Sequence, residues 1–414
     1  MEGDLLPVPK SVRVAVIGSG YAGLSTALEL HRLGVEAVVI EAREAGFGAS
    51  TRNAGFVCSH GNLSPRYAGK SIDLGAERRR HAEALEGVSH LESVIETLGI
   101  SCHWVESGHV TLAWTPAHHR AMAAKVAHLN RMGEWGASLL TREEARAELA
   151  TDFYSGGMLI ARSGLLHPSL YYRGLLDACR ARGIPVCTRA PVTGLKQAGR
   201  RWRLATGRGE CETDQVIVAT NGYTGEAMGS FHRRVVPIGS YIVATEEIGE
   251  HAVRSIIPNG RSVYDSRRVL SYCRPSPDGR RFLFGGRVRF GLDAPAATAL
   301  PLHDLMIERF PQLAGVRITH AWTGNLGFTF DEAPHVGTLE GLHFALGCNG
   351  TGIAMMTWLG MKIARRIARA NDAESVFGEA PLPTHPLYRG NPWFVPAVGY
   401  YFKARDTLDR LLAR

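Results

Sequence analysis

At 414 residues the chain has room for roughly two or three compact units, and its 45% apolar and 21% charged residues are ordinary for folded domains, excluding a disordered or fibrous chain. The formal charge of +8 is spread over scattered arginines and lysines with no dense basic run interleaved with aromatics, so no nucleic-acid partner is expected. Seven cysteines, widely spaced and without paired ligand spacing, argue against a disulfide framework or a zinc site.

The first ten residues, Met1 to Lys10, carry Glu2 and Asp4 and lack the basic start and apolar core of a secretory leader, so a cytoplasmic location is expected. Val12 to Ile17 then reads Val-Arg-Val-Ala-Val-Ile, a β-branched run suited to a buried parallel strand. It leads into Gly18-Ser19-Gly20-Tyr21-Ala22-Gly23, a G-x-G-x-x-G pattern, and on to Leu24 to Leu33, where Leu24, Ala27, Leu28 and Leu30 have helical spacing. The first glycine permits a tight turn, the second lets backbone approach a pyrophosphate, and the third brings helix against strand. Free amides and the positive helix end then hold phosphate. A second strand, Ala37 to Ile40, ends at Glu41, about twenty residues past the loop, where a carboxylate binds ribose hydroxyls. Glu41 repels the ribose phosphate of NADP even with Arg43 nearby, which leaves FAD or NAD.

Glu41 to Gly55 is a small-residue loop for which a nicotinamide domain has no need. Its stretch Gly48-Ala49-Ser50-Thr51-Arg52-Asn53-Ala54-Gly55 resembles the G-A-S-x-R-N-x-G segment of the D-amino-acid oxidase (DAO) family of flavoenzymes, in particular the branch containing gamma-glutamylputrescine oxidase. The resemblance continues in order through His167-Pro168 opening a helix, Val216 to Tyr223, Pro237 to Thr245, Leu283-Phe284-Gly285-Gly286-Arg287, Trp322-Thr323-Gly324, Asp331 to Gly337, and Gly347 to Ile353.

That resemblance implies an α/β fold with an α+β substrate domain: a Rossmann-type FAD-binding domain of glutathione-reductase-like architecture, interleaved with an antiparallel-sheet substrate domain. The FAD domain is expected from residues 1–65, 155–240 and 315–375, the substrate domain from 66–154 and 241–314, and a C-terminal extension from 376–414. Gly75 to Gly99 reads as a helix and Arg120 to Leu149 as largely helical, while Val110 to Ala113 and Ser262 to Phe290 are β-rich. From Pro381 onward a proline-rich stretch precedes a short amphipathic helix. Phe344 to Met361 is apolar but contains Asn349, Thr351 and several glycines, so no integral membrane segment is expected.

Noncovalent FAD is expected along Gly18, Ser19, Gly20, Tyr21, Ala22 and Gly23, at Glu41 and Ala42, and beside Ser50, Thr51, Arg52, Asn53, Ala54 and Gly55. Further contacts are expected from Val192, Ala219, Thr220 and Asn221. Gly350, Thr351, Gly352 and Ile353 would face the flavin pyrimidine end as the turn opens a helix over Ala354 to Ala370. No metal is expected.

In this family the flavin takes a hydride from the carbon beside a neutral amine, and water hydrolyses the imine to a carbonyl plus amine or ammonia. O2 often reoxidises the flavin, giving H2O2. The resemblance therefore implies oxidation of a C–N bond in an amine or amino-acid-like small molecule, with the protein aligning the C–H bond and excluding water. Leu326 follows Trp322-Thr323-Gly324 where glycine-oxidase-like members carry a carboxylate-clamping arginine, which shifts the expected substrate toward an amine. Leu283 stands where sarcosine-oxidase-like members carry an oxygen-activating lysine, which leaves open a dehydrogenase passing electrons to a quinone or carrier. Arg274 is either a clamp from another direction or a solvent-facing strand arginine. Tyr241 and Tyr272 either orient the amine or are core aromatics. His60 either borders the flavin or is structural. Cys348 does not match the position of covalent flavin attachment. A flavin monooxygenase and a noncatalytic FAD-binding redox sensor are the other readings.

Overall fold

The computed structural model describes residues 5–61, 63–64, 73–291 and 294–413; Glu2 and Asp4 lie outside the described residues. The expected strand, helix and strand form as β1 (Ser11–Ile17), α1 (Tyr21–Arg32) and β2 (Ala37–Ile40). β1 runs parallel to β2 on one side and to Gly209–Val218 on the other, and Gly209–Val218 pairs in parallel with Leu342–Leu346. Val14, Ala15 and Val16 are fully buried because both faces of this sheet are covered. Val14 and Val16 meet α1 and the helices Pro168–Ala181 and Gly352–Ala368 on one face, while Ala15 and Ile17 meet Met228, Phe231 and Leu382 on the other.

Small residues let α1 and Gly352–Ala368 touch backbone to backbone. Ser25 Oγ donates to Thr357 O at 2.7 Å and Thr26 Oγ1 to Gly360 O at 2.9 Å, and a side chain at Gly360 would overlap Ala22. This crossing fixes the N-termini of the two helices relative to each other.

A second sheet has eight strands in the order Ile318–Phe328, Val236–Thr245, Phe282–Gly286, Ser271–Pro275, Ser262–Asp265, His109–Leu112, Gly157–Ile160, Ala137–Leu140. Its pairings are antiparallel except for Ser262–Asp265 with His109–Leu112. Side chains alternate across it. Val110, Val243, Val263, Cys273 and Phe284 pack with Leu302 and Met306 of the helix Ala296–Arg309. The opposite face, hereafter the site face, covers the segment 49–60: Trp322 Nε1 donates to Arg52 O at 3.1 Å, Arg274 Nη1 to Ala54 O at 2.8 Å, and the Phe56 ring lies 5.8 Å from that of Tyr272.

One expectation is refined and another shifts. Arg120 to Leu149 is largely helical, as expected, but in two pieces: Pro116–Met132 stops at Gly133, Gly136 takes a left-handed φ of 60°, and Ala137–Leu140 pairs with Gly157–Ile160 before a short helix, Arg142–Glu148. The sheets also divide the chain differently from 155–240 and 315–375, since Gly157–Ile160, all of Val236–Thr245 and Ile318–Phe328 belong to the second sheet. Long-range pairing, invisible in local pattern, decides both. The extension ends in the helix Val395–Leu411, whose Asp406 accepts from Arg268 N at 3.2 Å and Val269 N at 3.0 Å.

Candidate active site

The phosphate-type loop is built by close backbone approach. Gly18 has a φ of 103° and its Cβ position lies 2.8 Å from Ala219 O, while a side chain at Gly23 would overlap Gly18 O. α1 is capped at Gly20 without a side-chain hydrogen bond, so its first-turn amides lack a side-chain acceptor apart from Tyr21 N, which donates to Ser50 Oγ at 3.2 Å. Glu41 stands beside this loop: Ser19 N and Oγ donate to Oε2 at 2.9 and 2.7 Å, and Arg43 N to Oε1 at 3.0 Å. A glycine cradle with a carboxylate at the end of β2 fits a dinucleotide with free ribose hydroxyls.

The segment after β2 holds itself in place. Asn53 Nδ2 donates to Ala49 O and Ser50 O at 3.0 and 3.2 Å, and its Oδ1 accepts from Gly55 N at 2.8 Å; Tyr21 OH donates to Ser50 O. Thr51 Oγ1 donates to Gly46 O at 2.6 Å, and Arg52 lies over the Phe47 ring. Asn53 and Thr51 thus shape the loop that would border the cofactor. Gly55, at φ 77°, is required because any side chain would strike Leu166 O.

Asn221, placed just past the central strand with Ala219 and Thr220, has a φ of 43° and accepts from Gly347 N and Cys348 N at 3.1 and 3.3 Å. It joins this loop to the turn at Gly350 (φ 92°), Thr351, Gly352 and Ile353, which opens the helix Gly352–Ala368 without a side-chain cap. That second free helix end abuts Gly61, whose Cβ position is 3.9 Å from Thr351 Cγ2. Ala42 follows Glu41 at the end of β2, and Val192 opens the strand Val192–Ala198 on the outer hairpin of the first sheet. Buried Cys348 donates to Gly327 O at 3.6 Å.

On the site face, Tyr272 exchanges a hydrogen bond with Ser240 Oγ at 2.8 Å and donates to Tyr241 O at 3.2 Å; burial pushes its phenol up to about 12, so it is neutral. Tyr241 is displaced from the expected cavity. One residue out of phase with Ser240, it points into the core against Ala296–Arg309, fully buried, with its hydroxyl on Gly291 O at 2.9 Å. Arg274 does face the segment 49–60, but Nη1 donates to Ala54 O and Leu166 O, each at 2.8 Å, and Nε to Pro275 O at 2.9 Å. It pins the sheet to the loop, and burial lowers its guanidinium to about 10.

His60 is buried with Nε2 3.3 Å from Tyr264 OH, while its Nδ1 has no partner among the described residues. Burial first, then nearby His109, holds His60 well below the usual imidazole range. His109 lies 4.0 Å from the Tyr264 ring, bonds Ser262 Oγ at 2.8 Å through Nδ1, and is pushed down by burial to about 3. The result is a buried layer of neutral polar groups at one end of the site face, with the Lys125 charge also acting to hold both imidazoles down.

Arg287 is the functional candidate that motif reading quoted but did not single out. Leu283 and Gly285 pair with Arg274 and Tyr272, and Arg287 follows two residues on, just past the strand, so a continued period of two was the available signal. Its guanidinium lies 5.0 Å over the Phe328 ring and forms no hydrogen bond or close ion pair among the described residues. Burial lowers its pKa, against the opposing influence of Tyr272 and then Glu332.

The described residues hold one group with metal-ligand chemistry, Glu77, His81 and His128, whose ligand atoms lie within 4.8 Å of one another. Trp135 Nε1 can only donate, and it does so to His81 Nδ1 at 2.9 Å, leaving the proton of neutral His81 on Nε2. His128 Nε2 is taken by Glu77 Oε1 at 3.1 Å. Glu77 Oε2 is buried with no hydrogen-bond partner among the described residues.

A glycine cradle, a carboxylate at the end of β2, a second helix end without a side-chain cap and a cationic sheet face across the intervening loop fit a dinucleotide-dependent oxidoreductase. Residues 13–366 match the family described as FAD dependent oxidoreductase (DAO), and the chain belongs to that family. It is 31% identical over 400 residues to gamma-glutamylputrescine oxidoreductase of Escherichia coli K12, covering 95% of this chain and 93% of the relative. It is also 31% identical over 378 residues to the probable oxidoreductase OrdL of Haemophilus influenzae, covering 90% and 86%. Glycine oxidase of Geobacillus kaustophilus has the same fold, with a TM-score of 0.77 over 92% of this chain and all of that one at 20% identity. The cofactor is FAD.

Proposed function

We propose that the chain oxidises the carbon–nitrogen bond of an amine that also carries an anionic group, with Arg287 receiving the anion and Tyr272 the polar part of the chain. FAD, held noncovalently, supplies the two-electron acceptor. The protein's own groups bind and orient the amine and keep water away.

One observation carries this reading: Arg287 is a covered guanidinium, held on Phe328, with no close counter-ion among the described residues. Covering a cation without a partner costs desolvation free energy that an anionic ligand recovers. The relative named gamma-glutamylputrescine oxidoreductase is named for an amine bearing a glutamyl group, which agrees. Leu326 leaves its own position uncharged, so the clamp enters from a different strand. Arg274 and Arg287 together disfavour another positive charge on this face, which favours the neutral amine that the reaction needs.

Molecular oxygen is the proposed acceptor, giving hydrogen peroxide. Leu283 in place of a lysine favours the second reading, electron transfer to a quinone or carrier. An anaerobic panel of amines with and without a carboxylate, followed by loss of flavin absorbance, tests the substrate. Bleaching by uncharged amines as fast as by their carboxylate analogues would refute the clamp. Peroxide release on admitting oxygen then separates oxidase from dehydrogenase.

A further inference from the structure

The C-terminal helix Val395–Leu411 is bound to the body along one side only. Asp406 is buried and accepts from Arg268 Nη1 at 3.0 Å, Trp114 Nε1 donates to Asp406 O at 3.0 Å, and Arg410 Nη1 donates to Trp114 O at 2.5 Å. Gly399 is buried beside Phe290. These contacts fix which side of the helix faces out.

The outward side is largely apolar, interrupted by Thr407, and at its N-terminal end the exposed Tyr400 ring also meets the Phe290 ring, their centroids 5.3 Å apart. Tyr400, Tyr401, Leu408, Leu411 and Leu412 are 64%, 57%, 47%, 59% and 78% exposed, and Ala397 and Ala404 fill the turns between them at helical spacing. Trp393, 62% exposed, extends the strip at its N-terminal end. Scattered exposed apolar residues need no explanation, but a strip of them on a well-anchored helix marks a contact surface.

Charge decides the kind of partner. The two acids of the helix are turned inward: Asp406 is buried, and Asp409 pairs with Arg268 at 2.6 Å. Lys403 and Arg405 flank the apolar strip and are exposed; neither forms an ion pair among the described residues, Arg405 Nη1 donating to Tyr401 OH at 3.5 Å and its charge acting weakly on Asp409. Aromatic residues at one end, leucines at the other and cations on both flanks match a helix lying in the interface of an anionic bilayer. A second copy docked face to face would instead bring the flanking cations of both chains together with no carboxylate of the helix to meet them. The charges within the helix exclude that it spans a bilayer.

We propose that Val395–Leu411 docks the enzyme onto an anionic lipid surface, with Tyr400, Tyr401, Leu408 and Leu411 inserted at the headgroup level and Lys403 and Arg405 against the phosphates. The contact places the enzyme at the phase in which lipid-soluble electron carriers dissolve.

The test is co-sedimentation of the FAD-loaded full chain with vesicles of phosphatidylcholine alone or mixed with phosphatidylglycerol. The chain should pellet with the anionic vesicles about tenfold more strongly than with neutral ones, and high salt should remove most of that difference. Leu408→Glu with Leu411→Glu should abolish pelleting while flavin content and turnover with a soluble acceptor stay at the wild-type level, since both side chains are exposed and outside the active site. Lys403→Glu with Arg405→Glu should abolish the preference for anionic lipid. Failure to pellet with either vesicle, equal pelleting on both, or a solution dimer that Leu408→Glu with Leu411→Glu dissociates in a chain that binds no lipid would overturn the proposal.

Discussion

β1–α1–β2 and the site face of the eight-stranded sheet lie on opposite sides of the segment 49–60 and are specified in different ways. In the first, the cradle is made of backbone, and sequence enters by omission: Gly18 and Gly23 are required because a side chain would meet Ala219 O or Gly18 O. In the second, side chains make the surface and parity selects them. A one-residue slip in strand register would turn Tyr272 and Arg274 toward Ala296–Arg309 and bring Tyr241 to the front. A site made of backbone is therefore readable from a short motif, whereas one made of side chains waits on register.

The sharpest test of that contrast is Gly23→Val, where overlap with Gly18 O is unavoidable. It should cost more than roughly 4 kcal/mol and yield protein without flavin absorbance. A yellow variant with an unchanged melting temperature would show that close backbone approach is dispensable. Next in size is Arg287→Leu, which should lower kcat/KM about 100-fold for an amine carrying a carboxylate and only about twofold for its uncharged analogue, with flavin content unchanged. Equal losses on both substrates would place Arg287 in cofactor or structural support instead.

Smaller is a pH effect on stability from the buried histidines. Burial pushes His109 to about 3 and His81 to about 4, below the ordinary value of about 6.5 of the unfolded chain. The unfolded chain therefore takes up protons first as pH falls. The stabilising contribution is complete above pH about 6.5 and is lost at about 1.4 kcal/mol per pH unit for each histidine as pH falls toward their folded-state values. Melting curves between pH 7 and 4 should shift down, less steeply in His109→Gln. The smallest expected effect is Tyr241→Phe, which removes one hydrogen bond to Gly291 O: about 1 kcal/mol of stability with unchanged turnover. A large loss of turnover would return Tyr241 to the site.

Local pattern made the first βαβ unit legible because strand burial, glycine geometry and Glu41 all act within a few dozen residues. The resemblance carried FAD and the two-domain plan across most of the chain for the same reason, as a series of short motifs in order. The strand Ala137–Leu140 was hidden because its partner, Gly157–Ile160, is outside any helical window, and Arg120 to Leu149 has helix-forming composition around it. Asn53 and Asn221 were recognisable as important residues, but their hydrogen bonds go to protein backbone, which only coordinates reveal.

By itself the sequence determined the cradle, the cofactor and the family, since these rest on backbone permissiveness and residue order. Tertiary structure alone decided which side chains meet across the loop 49–60. It turned Tyr241 inward, made Arg274 a pin between sheet and loop, left Arg287 covered without a close counter-ion, and set the apolar side of Val395–Leu411 outward. In each case the physical reason is the same: strand parity and helix rotation are fixed by distant partners, and a shift of one residue exchanges inside for outside.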